Sequence, residues 1–344
     1  MILDKLIGLF SNDLAIDLGT ANTIVSLKGG EIVVNEPSVV AVRVDFSGFH
    51  QIVAIGKNAK EMVGKTPMNL NAIRPLKDGV IADFDMAEVM IRKFIEKSHG
   101  RSALISPRIV ICVPYGLTQV ERKAVRESAM SAGAREIYMI EEPMAAALGV
   151  GLDIKEPKGN FIVDIGGGTT EIGVISLGGL VVCRSIKIAG DKFDLAIVEY
   201  LKKRYNLIIS ERDAEEIKIA VGSALPLRRE GSVTINGRDQ FEGSLKSVTI
   251  SSEEVREAIE RPITEIYEAL TSVLDLVPTE LIKDILNSGI ILTGGGSLIR
   301  KLDQYLSQKV KLPVYLADEP LLAVAKGTSM LLEDEKLLQE LTFQ

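Results

Sequence analysis

The sequence predicts an α/β protein built twice, as two domains that each carry an inserted smaller subdomain. Three observations carry that prediction. One hairpin unit occurs twice: Leu14-Ala-Ile-Asp17-Leu-Gly19-Thr20-Ala21-Asn22-Thr23 and the strand after it, then Phe161-Ile-Val-Asp164-Ile-Gly166-Gly167-Gly168-Thr169-Thr170 and its following strand. In each copy an apolar strand ends in Asp, a tight Gly/Thr turn follows, and a Gly-Gly pair (Gly29-Gly30, Gly178-Gly179) leads into a third strand. Strands then alternate with helical periodicity after both copies, the pattern of an α/β sheet whose opening strands are antiparallel. Finally, 344 residues suffice for two domains with substantial cores. The predicted division is 1–149, with an insertion at about 37–77, and 150–344, with an insertion at about 191–250.

In chain order, strands are expected near 14–19, 23–28 and 31–36, with Gly29-Gly30 as a two-residue hairpin signal. Residues 37–77 are turn-rich and read as the first insertion. Met86, Val89, Met90, Phe94 and Ile95 recur at helical spacing over 85–98. Arg108–Pro114 reads as a buried strand, and Thr118-Gln-Val-Glu121 as a capping box opening a helix that Gly133 stops. A short strand at Tyr138–Ile140 leads to a helix starting at Glu142-Pro143, with Pro in its first turn. In the second half Asp191 is expected to cap a helix. Another helix follows Ser210, and a strand pair lies between Gly231 and Ile250. Ser251-Ser-Glu-Glu254 caps a helix that Pro262 is expected to kink or restart. Ile290–Thr293 reads as a strand entering the Gly294–Ser297 turn, Pro313–Leu316 as the last strand, and a helix begins near Pro320.

Composition excludes several functions. A net charge of −7 offers no basic face for nucleic acid. Two histidines, His50 and His99, leave no basis for a His triad or zinc site. Cys112 and Cys183 each lie in an apolar strand-like run and read as buried thiols. No apolar run has the roughly 18 residues of a membrane span. Within Met1–Phe10, the residues Ile2, Leu3, Leu6, Ile7 and Phe10 share one helical face. That face reads equally as a docked terminal helix or as an interfacial membrane helix, though a basic polar face is missing.

The candidate chemistry lies in the turns. Glycines beside a strand-end Asp let backbone N–H groups approach a phosphate and form an anion-binding concavity. The hydroxyls of Thr20, Thr23 and Thr169 and the Asn22 amide could add donors. Asp17 and Asp164 could hold a phosphate-bound Mg²⁺ through waters, because Mg²⁺ dehydrates reluctantly. One such turn would do no more than close a hairpin. Two copies, with a third Gly turn at Gly294–Gly296, point to phosphate binding. Gly294–Ser297 suits close approach of a base, or a phosphate at a helix start. Glu142, at a helix start, reads on local sequence first as favourable N-terminal charge and second as a residue that orients a water for attack on a γ-phosphate. Glu215 and Lys218, one turn apart, fit a surface pair or contacts to a nucleoside.

At these motifs the chain resembles the actin-like (ribonuclease H-like) ATPase superfamily of actin, Hsp70 and the sugar kinases, and most closely the rod-shape-determining bacterial actins. The resemblance covers essentially the whole chain. It rests on Asp17–Thr23, Asn35–Val40, Arg74–Asp83, Glu141–Ala147, Val163–Glu171, Ala189–Asp191, Ala214–Lys218 and Leu292–Ser297 together. It implies a duplicated actin-like fold with ATP·Mg²⁺ in the cleft between the domains; the choice between ATP and GTP stays open. It implies phosphate contacts from Gly19, Thr20, Ala21 and Asn22 and from Gly166, Gly167, Gly168 and Thr169. Nucleoside contacts would come from Glu215, Glu216, Ile217 and Lys218 and from Gly294, Gly295, Gly296 and Ser297. Asp17 and Asp164 would serve the metal. Glu142 would position the attacking water, with Thr169 as partner, which reverses the local preference.

By the same resemblance the chain is a weak ATPase that assembles into double antiparallel filaments on the inner face of the cytoplasmic membrane. It would work there with a transmembrane adaptor and the wall-elongation machinery to set rod shape. Met1–Phe10 and an apolar loop at Leu104-Ile105 would contact lipid. The sequence departs from the family pattern at Ser297, where Ala is common, at Pro262, and in its few basic residues near the N-terminus. Two rivals remain within the superfamily: a small-molecule kinase, which needs an added carboxylate base beside the first turn, and a plasmid-segregating filament. A chaperone of the Hsp70 type is not expected, since little sequence follows the last helix.

Overall fold

A computed structural model describes residues 13–44, 50–65, 70–98 and 106–343. The chain divides into two compact units. One comprises Met1–Lys158, Ile175–Val181 and Leu321–Gln344; the other comprises Gly159–Val174 and Val182–Pro320.

The first unit opens with β1 (Leu14–Leu18), β2 (Asn22–Leu27) and β3 (Ile32–Pro37). A small antiparallel sheet follows, made of β4 (Val40–Val44), β5 (His50–Ile55) and β6 (Leu70–Ile73), with α1 (Lys57–Met62) beside it. The short pair β7 (Leu76–Lys77) and β8 (Val80–Ile81) leads into α2 (Phe84–Ser98), β9 (Arg108–Val113), α3 (Gln119–Ser131), β10 (Glu136–Glu141) and α4 (Glu142–Gly149). The main sheet has the order β10-β9-β1-β2-β3. β1 pairs antiparallel with β2 and parallel with β9, and β9 is parallel to β10. Alternate residues of these strands meet Met90, Ile91 and Phe94 of α2 in one apolar core.

The second unit repeats the plan. Its strands are β11 (Asn160–Ile165), β12 (Thr170–Ser176) and β13 (Gly179–Ile186), whose hairpin tip falls with the first unit. Then come α5 (Gly190–Tyr205), β14 (Leu207–Ile208), α6 (Glu211–Val221), β15 (Ser232–Asp239), β16 (Leu245–Ser251), α7 (Ser252–Leu274), α8 (Thr279–Ser288), β17 (Ile290–Thr293), α9 (Leu302–Val310) and β18 (Val314–Leu316). The sheet order is β13-β12-β11-β17-β18, with β11, β17 and β18 parallel. Position for position this is the order of the first sheet, so the sequence repeat is a repeat of topology. The chain closes in the first unit with α10 (Ala323–Met330) and α11 (Glu335–Leu341). There α4 and α10 cross at backbone contact: a Cβ on Gly149 would lie 1.8 Å from the Ala323 carbonyl oxygen, and one on Gly327 1.8 Å from that of Ala145.

The predicted capping boxes form. Thr118 accepts from the Glu121 N–H while Glu121 accepts from the Thr118 N–H, and Ser251 with Glu254 does the same. Four local expectations are corrected. The β2–β3 connection runs through residues 28–31, with Gly29 and Gly30 both at positive φ. It is the second hairpin that has a two-residue loop, Leu177-Gly178, with both φ positive as a type I′ turn demands. Pro262 does not break its helix: α7 runs from Ser252 to Leu274. Its neighbours Ile259, Ile263 and Ile266 are almost fully buried, and their burial offsets the roughly 3 kcal/mol that an interior Pro costs. Asp191 is not a cap, since α5 starts at Gly190 after Ala189. Cys112 is buried as expected, but Cys183 is only half-buried.

Candidate phosphate-binding turns

In the first unit Asp17 stands at the end of β1, half-buried, opposite Cys112 of β9 in the parallel register. The turn after it is braced by residues that lie beyond β3. The Ser38 hydroxyl donates to the Gly19 carbonyl at 2.6 Å, and the Ser38 N–H donates to the Ala21 carbonyl at 3.0 Å. The Thr20 hydroxyl accepts from the Gly79 N–H at 3.0 Å, which leaves its own O–H to donate. A Cβ on Gly19 would sit 2.6 Å from the Asn22 carbonyl oxygen, so the turn closes only with Gly there. Asn22 is exposed. Thr23 is fully buried with its hydroxyl 2.9 Å from that of Ser38, so it braces the turn from inside and offers nothing to a ligand.

In the second unit Asp164 occupies the corresponding strand end, but it is buried, 5% exposed, and faces Thr293 of β17 in register. The Thr293 hydroxyl donates to its carboxylate at 2.7 Å. Burial pushes the Asp164 carboxyl up to about 6, against the opposing pull of that hydrogen bond. The Gly166 N–H donates to the Thr169 carbonyl at 2.9 Å. The Gly166 and Gly167 carbonyls accept from the Gly190 and Asp191 N–H groups, at 3.1 and 2.8 Å, at the start of α5. None of these bonds uses the N–H of Gly167, Gly168 or Thr169. They also explain why α5 needs no side-chain cap: its first free N–H groups are spent on the turn.

Gly295–Leu298 forms a 3₁₀ turn after β17, with Gly294 at its N-cap. A Cβ on Gly294, which has φ +80°, would lie 2.3 Å from the Ile165 carbonyl oxygen, and one on Gly296 2.4 Å from Ile165 Cγ2. These two glycines therefore let the turn seat against β11, while Gly295 is exposed. The Ser297 hydroxyl donates to the Gly294 carbonyl at 2.6 Å. On α6, Ile217 is in the core, and Glu216 is exposed and paired with Arg212. Glu215 is partly exposed. The Lys218 ammonium lies 2.8 Å from Asp194 and donates to the Gly190 carbonyl at 3.2 Å.

Glu142 is the first residue of α4, 9% exposed, at the end of edge strand β10. Its neighbour Glu141 is raised by burial, opposed by Arg122 at 4.0 Å. Sequence reasoning missed four supports: Ser38, Gly79, Thr293 and Asp194. Ser38, Gly79 and Thr293 lie inside the quoted motifs, but nothing local tells that each reaches a strand-end turn.

The model of the MreB/Mbl protein family matches residues 11–340. The chain belongs to the MreB/Mbl family. It is 50% identical over 334 residues to the cell shape-determining protein MreB of Escherichia coli (strain K12), covering 96% of each. It is 47% identical over 326 residues to the cell shape-determining protein Mbl of Bacillus subtilis (strain 168), covering 95% of this chain and 97% of that one. The structure of MreB 5 of Spiroplasma citri bound to AMPPNP superposes with a TM-score of 0.89 at 37% identity, over 94% of this chain and 96% of that one. A MamK double helical filament, 24% identical with a TM-score of 0.80, shares the fold. The duplicated α/β plan is thus the actin-like fold, and this member of the MreB/Mbl family is a bacterial actin homologue of the cell shape-determining kind.

Proposed function

We propose that the chain binds ATP with Mg²⁺ through its two Asp–Gly turns, hydrolyses it slowly, and polymerises into filaments on the inner face of the cytoplasmic membrane that organise wall synthesis. The observation that carries this reading is the repeated turn at topologically equivalent strand ends, each rigidly braced. Support comes from one relative, MreB 5 of Spiroplasma citri, solved with AMPPNP and with ADP. Gly19–Asn22 and Gly166–Thr169 contribute phosphate donors, Glu215 and Gly295 serve the nucleoside side, and Lys218 supports the same site from α6. Asp17 and Asp164 fit Mg²⁺: each places a carboxylate, a hard oxygen donor, at a strand end, the arrangement for an ion that keeps waters and takes its other ligands from phosphates. When bound, Mg²⁺ supplies charge neutralisation on the phosphate oxygens. Glu142, with Thr169, orients the attacking water.

The lipid-contacting residues Ile2, Leu3, Leu6, Ile7, Phe10, Leu104 and Ile105 lie outside the described residues and stay part of the proposal. Among the described residues no helix is long and apolar enough to cross a membrane. The decisive experiment pairs negative-stain microscopy on lipid vesicles with phosphate-release kinetics. Wild type should form paired filaments on lipid with ATP. Glu142→Ala should bind ATP within about twofold of wild type yet release phosphate roughly 100-fold more slowly. Unchanged release by the variant returns Glu142 to a helix-terminus role. No filaments on lipid under any nucleotide condition refutes the assembly reading.

A further inference from the structure

The Lys218 ammonium has three N–H donors. It donates to Asp194 Oδ2 at 2.9 Å and to the Gly190 carbonyl at 3.2 Å, and Asp194 Oδ1 lies 2.8 Å away as an ion-pair contact without hydrogen-bond geometry. The pair is well sheltered, with the Lys218 side chain 14% and the Asp194 side chain 9% exposed. Gly190 and Asp191, one turn before Asp194, are the residues whose N–H groups hold the Gly166 and Gly167 carbonyls. A Cβ placed on Gly190 shows how tightly these parts converge: it would lie 3.3 Å from the Gly166 carbonyl oxygen, 3.5 Å from Gly167 Cα and 3.6 Å from Lys218 Nζ.

We propose that the Asp194–Lys218 ion pair is a positioning device for the second phosphate turn, and that Lys218 serves nucleotide binding through α5 rather than by its own contact with the nucleoside. The pair ties α6 to the first turn of α5 and fixes the direction of the Gly190 and Asp191 N–H groups. Those in turn fix the Gly166 and Gly167 carbonyls, and a peptide whose carbonyl is held has its neighbouring N–H held as well. The N–H groups of Gly167 and Gly168, which none of these bonds uses, are thereby preorganised toward an anion, so the cost of ordering them is met on folding rather than on binding. This rests on the reading of the turn as a phosphate site, but its first consequence can be measured without nucleotide.

The test uses the full chain with Asp194→Asn, which keeps size and one acceptor, and Lys218→Met. Hydrogen exchange is followed by mass spectrometry on unliganded protein, over the peptides carrying Gly166 and Gly190–Asp191. Both variants should speed exchange there by roughly tenfold, with the amides of Ile197–Leu201 on α5 as an unchanged control for global folding. ATP and AMP affinities are then compared. ATP affinity should fall about tenfold, while AMP, which lacks the phosphates that the turn would hold, changes by less than about twofold. If exchange at the turn matches wild type in both variants, the pair does not hold it and the proposal is overturned. Equal losses for ATP and AMP also overturn it, and make Lys218 a nucleoside ligand. Should Asp194→Asn fail to fold, Lys218→Met decides alone. If exchange rises as expected but wild type binds no ATP, the clasp stands and the phosphate reading of the turn fails.

Discussion

The two strand-end turns share sequence, strand order and register, yet they are held from different directions. The first is held by inserted chain and by hydroxyls: Ser38 on the Gly19 and Ala21 carbonyls, and Gly79 on Thr20. The second is held by the backbone of a helix start, Gly190 and Asp191 on the Gly166 and Gly167 carbonyls. The acids differ as well. Asp17 is half-buried opposite a cysteine, and Asp164 is buried and bonded by Thr293. A duplicated motif thus fixes where a turn sits and what it presents, while its rigidity is supplied afresh in each unit by whatever the chain packs behind it.

The largest expected effect tests the contrast between the acids. Asp164→Ala removes a sheltered charge and strands the Thr293 hydroxyl without its acceptor. Mg²⁺-dependent ATP affinity should fall on the order of 100-fold, with about 1–3 kcal/mol lost from stability. Asp17→Ala acts where water competes, so its loss should be nearer tenfold, since charge interactions weaken as the surroundings grow wetter. Calorimetry of ATP binding with and without Mg²⁺ measures both. Equal losses would mean that burial does not set the weight of the two carboxylates.

A smaller effect tests the turns themselves. At Gly19 an added Cβ meets the Asn22 carbonyl oxygen at 2.6 Å, and that turn is pinned from behind by Ser38. At Gly166 the nearest atom, the Thr169 carbonyl oxygen, is 3.3 Å away. Gly19→Ala should therefore cost about 1–3 kcal/mol, roughly tenfold or more in ATP affinity. Gly166→Ala should cost no more than about threefold. The reverse order would show that the second turn is the less yielding of the two.

Much of this was legible in the sequence because it is local or repeated. The strands, the Thr118 and Ser251 capping boxes and the duplication all follow from short-range pattern. What was hidden depends on partners distant in sequence. Asp191 looks like a cap, but the first N–H groups of α5 are claimed by a turn more than twenty residues earlier. Pro262 looks like a break, but core burial of α7 carries the helix through it. The glycines of Gly294–Gly296 look like a ligand surface, whereas two of them are demanded by Ile165 behind the turn. Thr23 looks like one more donor, and its hydroxyl is turned inward onto Ser38.

The smallest expected effect follows from the burial of Asp164 and concerns pH. Its carboxyl is raised from 3.8 to about 6 in the folded protein, chiefly by burial. The folded state therefore holds a proton that the unfolded chain has already lost between about pH 4 and pH 6. Stability is greatest at the acid end of that window and falls as pH rises through it. Asp194 is raised to about 6 as well, first by burial and with Lys218 opposing, so it acts with the same sign. Carboxyls held low, such as Glu230 and Asp239 at about 2, act with the opposite sign but only at lower pH. Over the range from pH 5 to pH 7 a wild-type-minus-variant difference cancels every group that the two proteins share, Glu141, also raised by burial, among them. In urea denaturation of the unliganded protein, Asp164→Asn should remove about 1 kcal/mol of the loss between pH 5 and pH 7, with Asp194 still contributing its own share. A variant whose stability changes with pH just as wild type's does would mean that Asp164 is ionised throughout, and that its burial, the sharpest difference between the two turns, does not govern its charge.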